Sequence, residues 1–218
     1  MALLEDPIAT AGLVAREVRT GSRDGVTTRI AVARRWYPTD RADLWDALTS
    51  ADRLPRWFLP VEGELKVGGR YQLVGNAGGV IEECDEPRRL AVTWEMGPVV
   101  SWLAVGLSGE GDGTVLELVH EAPVDPEFWT RYGPGAVGVG WDLALMGLGL
   151  HIESGAPVDP EVGATFPITP GGREFTHAAA TAWAQAATAD GDDPEAARAA
   201  GERTFAFYTG TQEDGTDS

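Results

Sequence analysis

Three histidines and one cysteine are the side chains in this sequence best suited to acid–base or nucleophilic chemistry. His120 ends a predicted strand on the face that also carries Leu116 and Leu118, so alternation turns its imidazole toward the interior. A neutral imidazole there can hold a ligand carbonyl or act as a general base. With Arg56 or Arg70 it forms the one candidate catalytic set. The alternative is a hydrogen-bonded histidine at a strand end.

The other reactive groups are predicted to have no catalytic role. His151 and His177 have no Cys, Asp or Glu at a metal-ligand spacing, so we expect no metal site and no cofactor. Cys84 lies within the acidic run Glu82–Glu86. Because acidic neighbours oppose thiolate formation, this cysteine is not expected to be a nucleophile.

Bulky apolar residues indicate a binding cavity instead. Such cavities are mostly apolar, with a few polar groups that orient the ligand. Together with His120, the predicted lining residues are Phe58, Tyr71, Trp94, Leu103, Val105, Leu116, Leu118, Trp141 and Leu145. The alternative is that these residues simply fill a core. Trp102 alternates to the opposite face from Leu103, and we expect it to contact the C-terminal helices.

The charge balance limits the partners. Acidic residues outnumber basic ones by 34 to 17, a net charge of -17, which disfavours nucleic acids and anionic membrane surfaces. One cysteine allows no intramolecular disulfide, and the first twenty residues do not resemble a secretory signal. The most apolar stretch, Ala136 to Ile152, contains Asp142 and four glycines. We therefore predict a cytoplasmic protein that does not insert into a membrane.

The elements that position these residues are short strands followed by one long helix. The Asp24-Gly25 step predicts a hairpin between two strands, Leu13–Thr20 and Val26–Tyr37. Thr39 or Asp40 caps a helix that ends near Thr49. Six strand segments between 62 and 121 have no helical crossovers between them, so they form an antiparallel meander.

The long helix, Ala136 to Ser154, is predicted to be the centre of the fold. Its apolar residues fall into two stripes, Trp141-Leu145-Leu148-Ile152 and Leu143-Met146-Leu150. Because a helix that is apolar nearly all round is covered on more than one side, one stripe should face the sheet. We expect the other to face the chain's own tail or a second subunit in a homodimer.

The C-terminal part reads as a connector, Gly155 to Gly172, followed by two Ala-rich helices, Glu174–Ala189 and Pro194–Tyr208. Asp193 should cap the second, with Pro194 at its first position. The predicted organisation is an N-terminal segment with an extra strand (1–26), a central domain (27–155) and a connector with a two-helix extension packed on that domain (156–218).

Five sequence fragments in the central domain carry a family resemblance. They are Trp45-Asp46-Ala47-Leu48-Thr49 followed by Arg56-Trp57-Phe58; Gly68-Gly69-Arg70-Tyr71; Arg88-Arg89-Leu90; Thr93-Trp94; and Gly113-Thr114 with Leu116, Leu118 and His120. In this order they resemble the SRPBCC (START-like) superfamily, in the branch related to the activator of Hsp90 ATPase. The resemblance covers about Thr27 to Gly155.

The resemblance implies an α+β helix-grip fold, in which a curved antiparallel sheet wraps a long C-terminal helix and leaves a cavity between them. It also implies binding of a hydrophobic small molecule or lipid. Two alternatives come with it: a cyclase- or aromatase-like enzyme acting on polyketides in the same cavity, and a co-chaperone of the Hsp90 type. The helical tail is an addition to the minimal domain, and it can cover either the cavity mouth or the back of the long helix.

Overall fold

The computed structural model of the protein describes residues 4–211, so residues 1–3 of the N-terminal segment and 212–218 of the extension lie outside it. Its centre is one eight-stranded sheet in which every neighbouring pair is antiparallel. The strands are β1 (Ala15–Arg23), β2 (Val26–Tyr37), β3 (Val61–Gly63), β4 (Arg70–Leu73), β5 (Gly78–Asp85), β6 (Arg89–Met96), β7 (Val99–Glu110) and β8 (Gly113–Pro123). Their order across the sheet is β1-β2-β8-β7-β6-β5-β4-β3.

Seven α-helices accompany the sheet in residues 4–211. They are α1 (Pro7–Gly12), α2 (Arg41–Thr49), α3 (Pro126–Tyr132), α4 (Gly135–Ser154), α5 (Pro160–Thr165), α6 (Pro170–Ala189) and α7 (Pro194–Thr209). Short 3-10 turns cover Leu54–Arg56 and Phe166–Ile168. The predicted α+β helix-grip architecture with an added helical tail is confirmed.

Local signals explain several boundaries. Asp24 and Gly25 both have positive φ, of 51° and 79°, as the predicted two-residue hairpin between β1 and β2 requires. The Asp40 side chain accepts a hydrogen bond from the backbone N–H of Asp43 and caps α2. Asp193 caps α7 in the same way. The prediction that a strand starts at Leu13 is wrong, because Leu13 is the C-cap of α1 and has helical φ and ψ, so β1 begins at Ala15.

Helix α4 lies between the sheet and the tail. Leu145 and Leu148 are buried, and the carbonyl oxygen of Leu145 accepts hydrogen bonds from Arg35 and Tyr37 on β2. Within residues 4–211, α4 is the one helix long and apolar enough to cross a membrane by length and composition. More than half of that stretch is buried against the rest of the chain, as expected for a core helix.

Helices α6 and α7 of the tail cover the side of α4 that faces away from the sheet. The apolar pattern of the sequence does not mark most of this contact face. Gly138 and Asp142 meet Trp183 of α6, and Gly135 meets Thr204 of α7. Glycine allows the indole to approach the helix backbone closely, so small residues mark this contact. Of the predicted stripe, Met146 is one turn from Asp142 on this face, whereas Leu143 and Leu150 are only partly buried.

Ion pairs fasten the tail to the sheet. Arg29 on β2 pairs with Asp190 and Asp192 in the turn between α6 and α7, and Asp192 also accepts a hydrogen bond from the Trp129 indole. The predicted connector, Gly155 to Gly172, contains α5 and a 3-10 turn, and α6 already begins within it at Pro170.

Trp102, which was predicted to contact the C-terminal helices, has a cation–π partner on β1. Its ring lies under the Arg23 guanidinium of β1, with 4.1 Å between the guanidinium carbon and the ring centroid.

Candidate binding cavity

A cavity of about 190 Å³ lies between the concave face of the sheet and α4. Nine of the ten predicted lining residues surround it: Phe58, Tyr71, Trp94, Leu103, Val105, Leu116, Leu118, Trp141 and Leu145. The sheet contributes through strand alternation, because every second residue of β6, β7 and β8 faces inward. Within residues 4–211, the tail contributes nothing to the lining.

Further lining residues were not predicted. Trp45 from α2 and Trp57, directly after the first 3-10 turn, belong to the lining, as do Lys66 from the β3–β4 loop and Cys84 from β5. The sequence does contain a pattern that indicates an inward position for Trp45, since this residue lies on the apolar face of its helix. No sequence pattern indicates that Lys66 and Cys84 line the cavity, because their positions depend on how a loop and a bulged strand meet in space.

Aromatic rings form a continuous cluster at one end of the cavity. Trp57 stacks on Phe58 at a centroid distance of 5.4 Å, and Phe58 lies 6.4 Å from Trp141. Trp141 makes an edge contact with Trp94 at 5.1 Å. Such tilted and edge-to-face arrangements stabilise a rigid wall, because they match the quadrupoles of the rings.

His120 is the predicted residue that does not reach the cavity. It lies behind Trp94 and Trp141, with ring centroids 6.1 and 5.8 Å away. The Trp141 indole donates to His120 Nδ1 at 3.0 Å, and Nε2 lies 2.8 Å from Ser101 Oγ. Ser101 Oγ in turn donates to the Trp94 carbonyl oxygen at 3.0 Å.

Because Nδ1 accepts, the imidazole proton of neutral His120 lies on Nε2. Burial lowers the pKa of His120 to about 4, so the ring is neutral at physiological pH. Both nitrogens are used in holding the wall together. The prediction that His120 lines the cavity is therefore corrected: it is the hydrogen-bonded histidine at a strand end.

The two arginines proposed to act with His120 are also engaged elsewhere. Arg56 donates to the Gly155 carbonyl oxygen at 2.7 Å and fixes the end of α4. Arg70 is exposed and pairs with Glu95 at 2.5 Å. The structure does not assemble the predicted catalytic set.

Several polar side chains in the wall have their hydrogen bonds satisfied by the protein. The Trp57 indole donates to the Ala47 carbonyl oxygen and the Tyr71 hydroxyl to that of Thr93, both at 2.8 Å. Burial raises the pKa of Tyr71, so its hydroxyl stays protonated. The indole N–H groups of Trp45 and Trp94 have no acceptor in residues 4–211.

No group of His, Cys, Asp and Glu suited to a metal ion occurs in the described part of the chain. In the acidic run around Cys84, Glu83 pairs with Arg89 and Asp85 with Arg88. These carboxylates belong to an ion-paired, exposed strand end.

The fold and cavity define a helix-grip protein, and comparisons identify the family. Residues 38–153 match the family model described as "Activator of Hsp90 ATPase homolog 1-like protein", which is more than half of the chain. The chain therefore belongs to this family. A comparison with curated proteins gives no match.

Similar solved structures include CalU16 from Micromonospora echinospora. The chain is 32% identical to its solution structure, with a TM-score of 0.68, covering 81% of this chain and 96% of that one. For the crystal structure of the same protein the identity is 31%, the TM-score 0.62 and the coverage 80% and 98%. A conserved protein of unknown function from Enterococcus faecalis, EF2215, is 17% identical, with a TM-score of 0.59 and coverage of 85% and 97%, which shows the fold alone.

Proposed function

We propose that this protein binds a small apolar molecule in the cavity between sheet and α4 and does not transform it. The observation that carries the proposal is the composition of the wall: aromatic and aliphatic side chains, with the polar atoms of Trp57, Tyr71 and Trp141 turned to protein partners. Burying an unpaired polar group of a ligand in such a wall is costly, whereas burying apolar surface is favourable. Cytoplasmic location remains part of this proposal.

A cyclase- or aromatase-like activity has less support. Closing a ring on a poly-β-ketone requires a base that removes a proton next to a carbonyl group. Among the described lining residues there is no Asp, Glu or His, and the nearby His120 has both nitrogens engaged behind the aromatic wall.

Two readouts test binding in the same sample. Trp57, Trp94 and Trp141 line the cavity, so a ligand should change the tryptophan fluorescence. Cys84 is the chain's one cysteine, is exposed, and also lines the cavity. With naphthalene as the probe, we expect a saturable fluorescence change and slower labelling of Cys84 by a maleimide, with the same half-saturation.

A cavity-filling variant supplies the control. Ala144 lines the cavity from α4, whereas Val137 is exposed on the same helix and outside the lining. Ala144→Phe should abolish both responses while Val137→Phe retains them, with thermal melting used to verify that each variant folds. Absence of a saturable response to naphthalene in the wild-type protein would overturn the proposal.

The family description supports a second candidate, stimulation of an Hsp90-type ATPase through a protein surface. It is tested separately, by adding the purified protein to Hsp90 and following ATP hydrolysis. Acceleration that persists in Ala144→Phe would assign that activity to a surface, independent of the cavity.

A further inference from the structure

Lys66 is the one charged residue among the lining residues of the cavity in the described chain. It is also the single lysine of the whole sequence, in which all other basic residues are arginine. Its side chain is 71% exposed, so the ammonium lies at the rim rather than among the aromatic rings. The cavity therefore combines an apolar interior with one positive charge at its edge.

The backbone holds Lys66 at this rim. The loop between β3 and β4 is closed by hydrogen bonds from Lys66 N to Glu64 O at 2.8 Å and from Gly69 N to Lys66 O at 2.9 Å. It is tied to the wall by Gly68 N to Ile81 O at 2.8 Å and Ile81 N to Gly69 O at 3.0 Å. A Cβ at Gly69 would overlap the Glu64 carbonyl oxygen, so the tight loop depends on this glycine.

The present partner of Lys66 is easily exchanged. Its Nζ lies 3.1 Å from Glu64 Oε2, and the Glu64 side chain is 70% exposed. An exposed ion pair of this kind contributes little, since water and salt screen it. The net charge of -17 opposes an anion only weakly, because at physiological salt charges farther than about 8 Å are largely screened.

Apart from the Thr49 hydroxyl, which donates to the Trp45 carbonyl oxygen, and the Cys84 thiol, the polar groups left for a ligand are donors. An ammonium has three N–H donors and an indole N–H has one, and neither accepts a hydrogen bond. Lys66, Trp45 and Trp94 all line the cavity, and the two indoles have no acceptor within residues 4–211. A matching ligand therefore offers acceptors and has no ammonium or other donor-rich group.

We propose that the molecule held in the cavity is an apolar carboxylic acid, whose carboxylate pairs with Lys66 at the rim and whose body lies against the aromatic wall. This inference rests on the proposed function and deepens it. A dry cavity of about 150 Å³ accepts benzene. The volume of about 190 Å³ accordingly suits a body of one to two rings or a short branched chain, with larger bodies extending through the mouth.

Three probes of one shape test the charge: naphthalene, 2-naphthoate and 2-naphthylmethylammonium, titrated into the wild-type protein at physiological salt. We expect the carboxylate to bind about tenfold more tightly than the ammonium. The carboxylate gains one exposed ion pair with Lys66, whereas the ammonium is repelled by Lys66, and each effect is of the size found for exposed charges. Lys66→Gln should abolish the preference for the carboxylate or reverse it toward the ammonium, because Glu64 is then left unpaired at the rim, and it should leave the dissociation constant of naphthalene unchanged. Glu64→Gln should tighten binding of 2-naphthoate, because it removes the competing carboxylate.

Arg88→Gln is the matched control, since it removes an exposed positive charge that is paired with Asp85 and is not part of the lining. It should leave the preference for the carboxylate unchanged. If naphthalene binds but the ammonium binds as tightly as the carboxylate, the inference is wrong and the proposed function stands. The same conclusion follows if Arg88→Gln abolishes the preference for the carboxylate as fully as Lys66→Gln does. If none of the probes binds, the proposed function itself fails.

Discussion

Two buried titratable groups, His120 and Asp142, are expected to change the stability of this protein in opposite directions between pH 4 and pH 6.5. Burial lowers the pKa of His120 from 6.5 to about 4. In this interval the unfolded chain binds a proton at His120 and the folded protein does not, so His120 costs stability as the pH falls. At about 1.4 kcal/mol per pKa unit, the full effect is about 3 kcal/mol.

Asp142 acts with the opposite sign. Burial raises the pKa of Asp142 from 3.8 to about 6. Arg16 and the Trp183 indole oppose this shift, because they donate hydrogen bonds to Oδ2 at 3.1 and 2.9 Å and so favour the carboxylate. Between these values the folded protein holds a proton that the unfolded chain has released, so stability falls as the pH rises. This effect is also about 3 kcal/mol, and the two nearly cancel in the wild-type protein.

Single substitutions should separate the two contributions. His120→Gln leaves Asp142 in place, so the free energy of unfolding should fall by about 2 kcal/mol from pH 4.5 to pH 6.5. Asp142→Asn leaves His120, so the free energy of unfolding should rise by about 2 kcal/mol over the same range. Each variant also loses a pH-independent amount of stability, since it replaces a hydrogen-bonding group, so the slope with pH is the diagnostic quantity.

Urea unfolding followed by tryptophan fluorescence at a series of pH values measures these slopes. His177→Gln, at an exposed histidine on α6, is the control and should follow the wild-type curve. Parallel curves for His120→Gln, Asp142→Asn and the wild-type protein would refute the reasoning, because they would mean that neither buried group changes its protonation on folding.

Three further predictions concern packing. Gly138→Ala should destabilise the protein by about 1–3 kcal/mol in thermal or urea unfolding, because the added methyl group overlaps the Trp183 ring. Gly163→Ala is the control and should change stability little, because the space around Gly163 is open. Trp141→Phe should cost about 1–3 kcal/mol in the same assay, because it leaves a nitrogen of the buried histidine without its donor, and an unchanged stability would contradict this. A chain lacking residues 156–218 should aggregate or unfold at low urea, since the back of α4 loses its cover; a cooperative transition like that of the full chain would show that the central domain is stable alone.

The sequence by itself determined the features that depend on near neighbours. The Asp24-Gly25 turn, the cap at Asp40 and the cap at Asp193 were readable because each is fixed by residues within a few positions. Strand and helix periodicity brought nine of the ten predicted residues to one cavity, because alternation decides which face of an element a side chain occupies. That they bind a ligand stays a prediction.

Only the tertiary structure decided the polar contacts across the fold. Arg16 and Asp142 are 126 positions apart, Asp142 and Trp183 are 41 apart, and His120 and Trp141 are 21 apart. Whether a buried polar atom finds a partner depends on the packing of separate elements, and no local pattern records it. For the same reason the sequence could place His120 on the inward face of a strand, but not behind two indole rings with both of its nitrogens engaged.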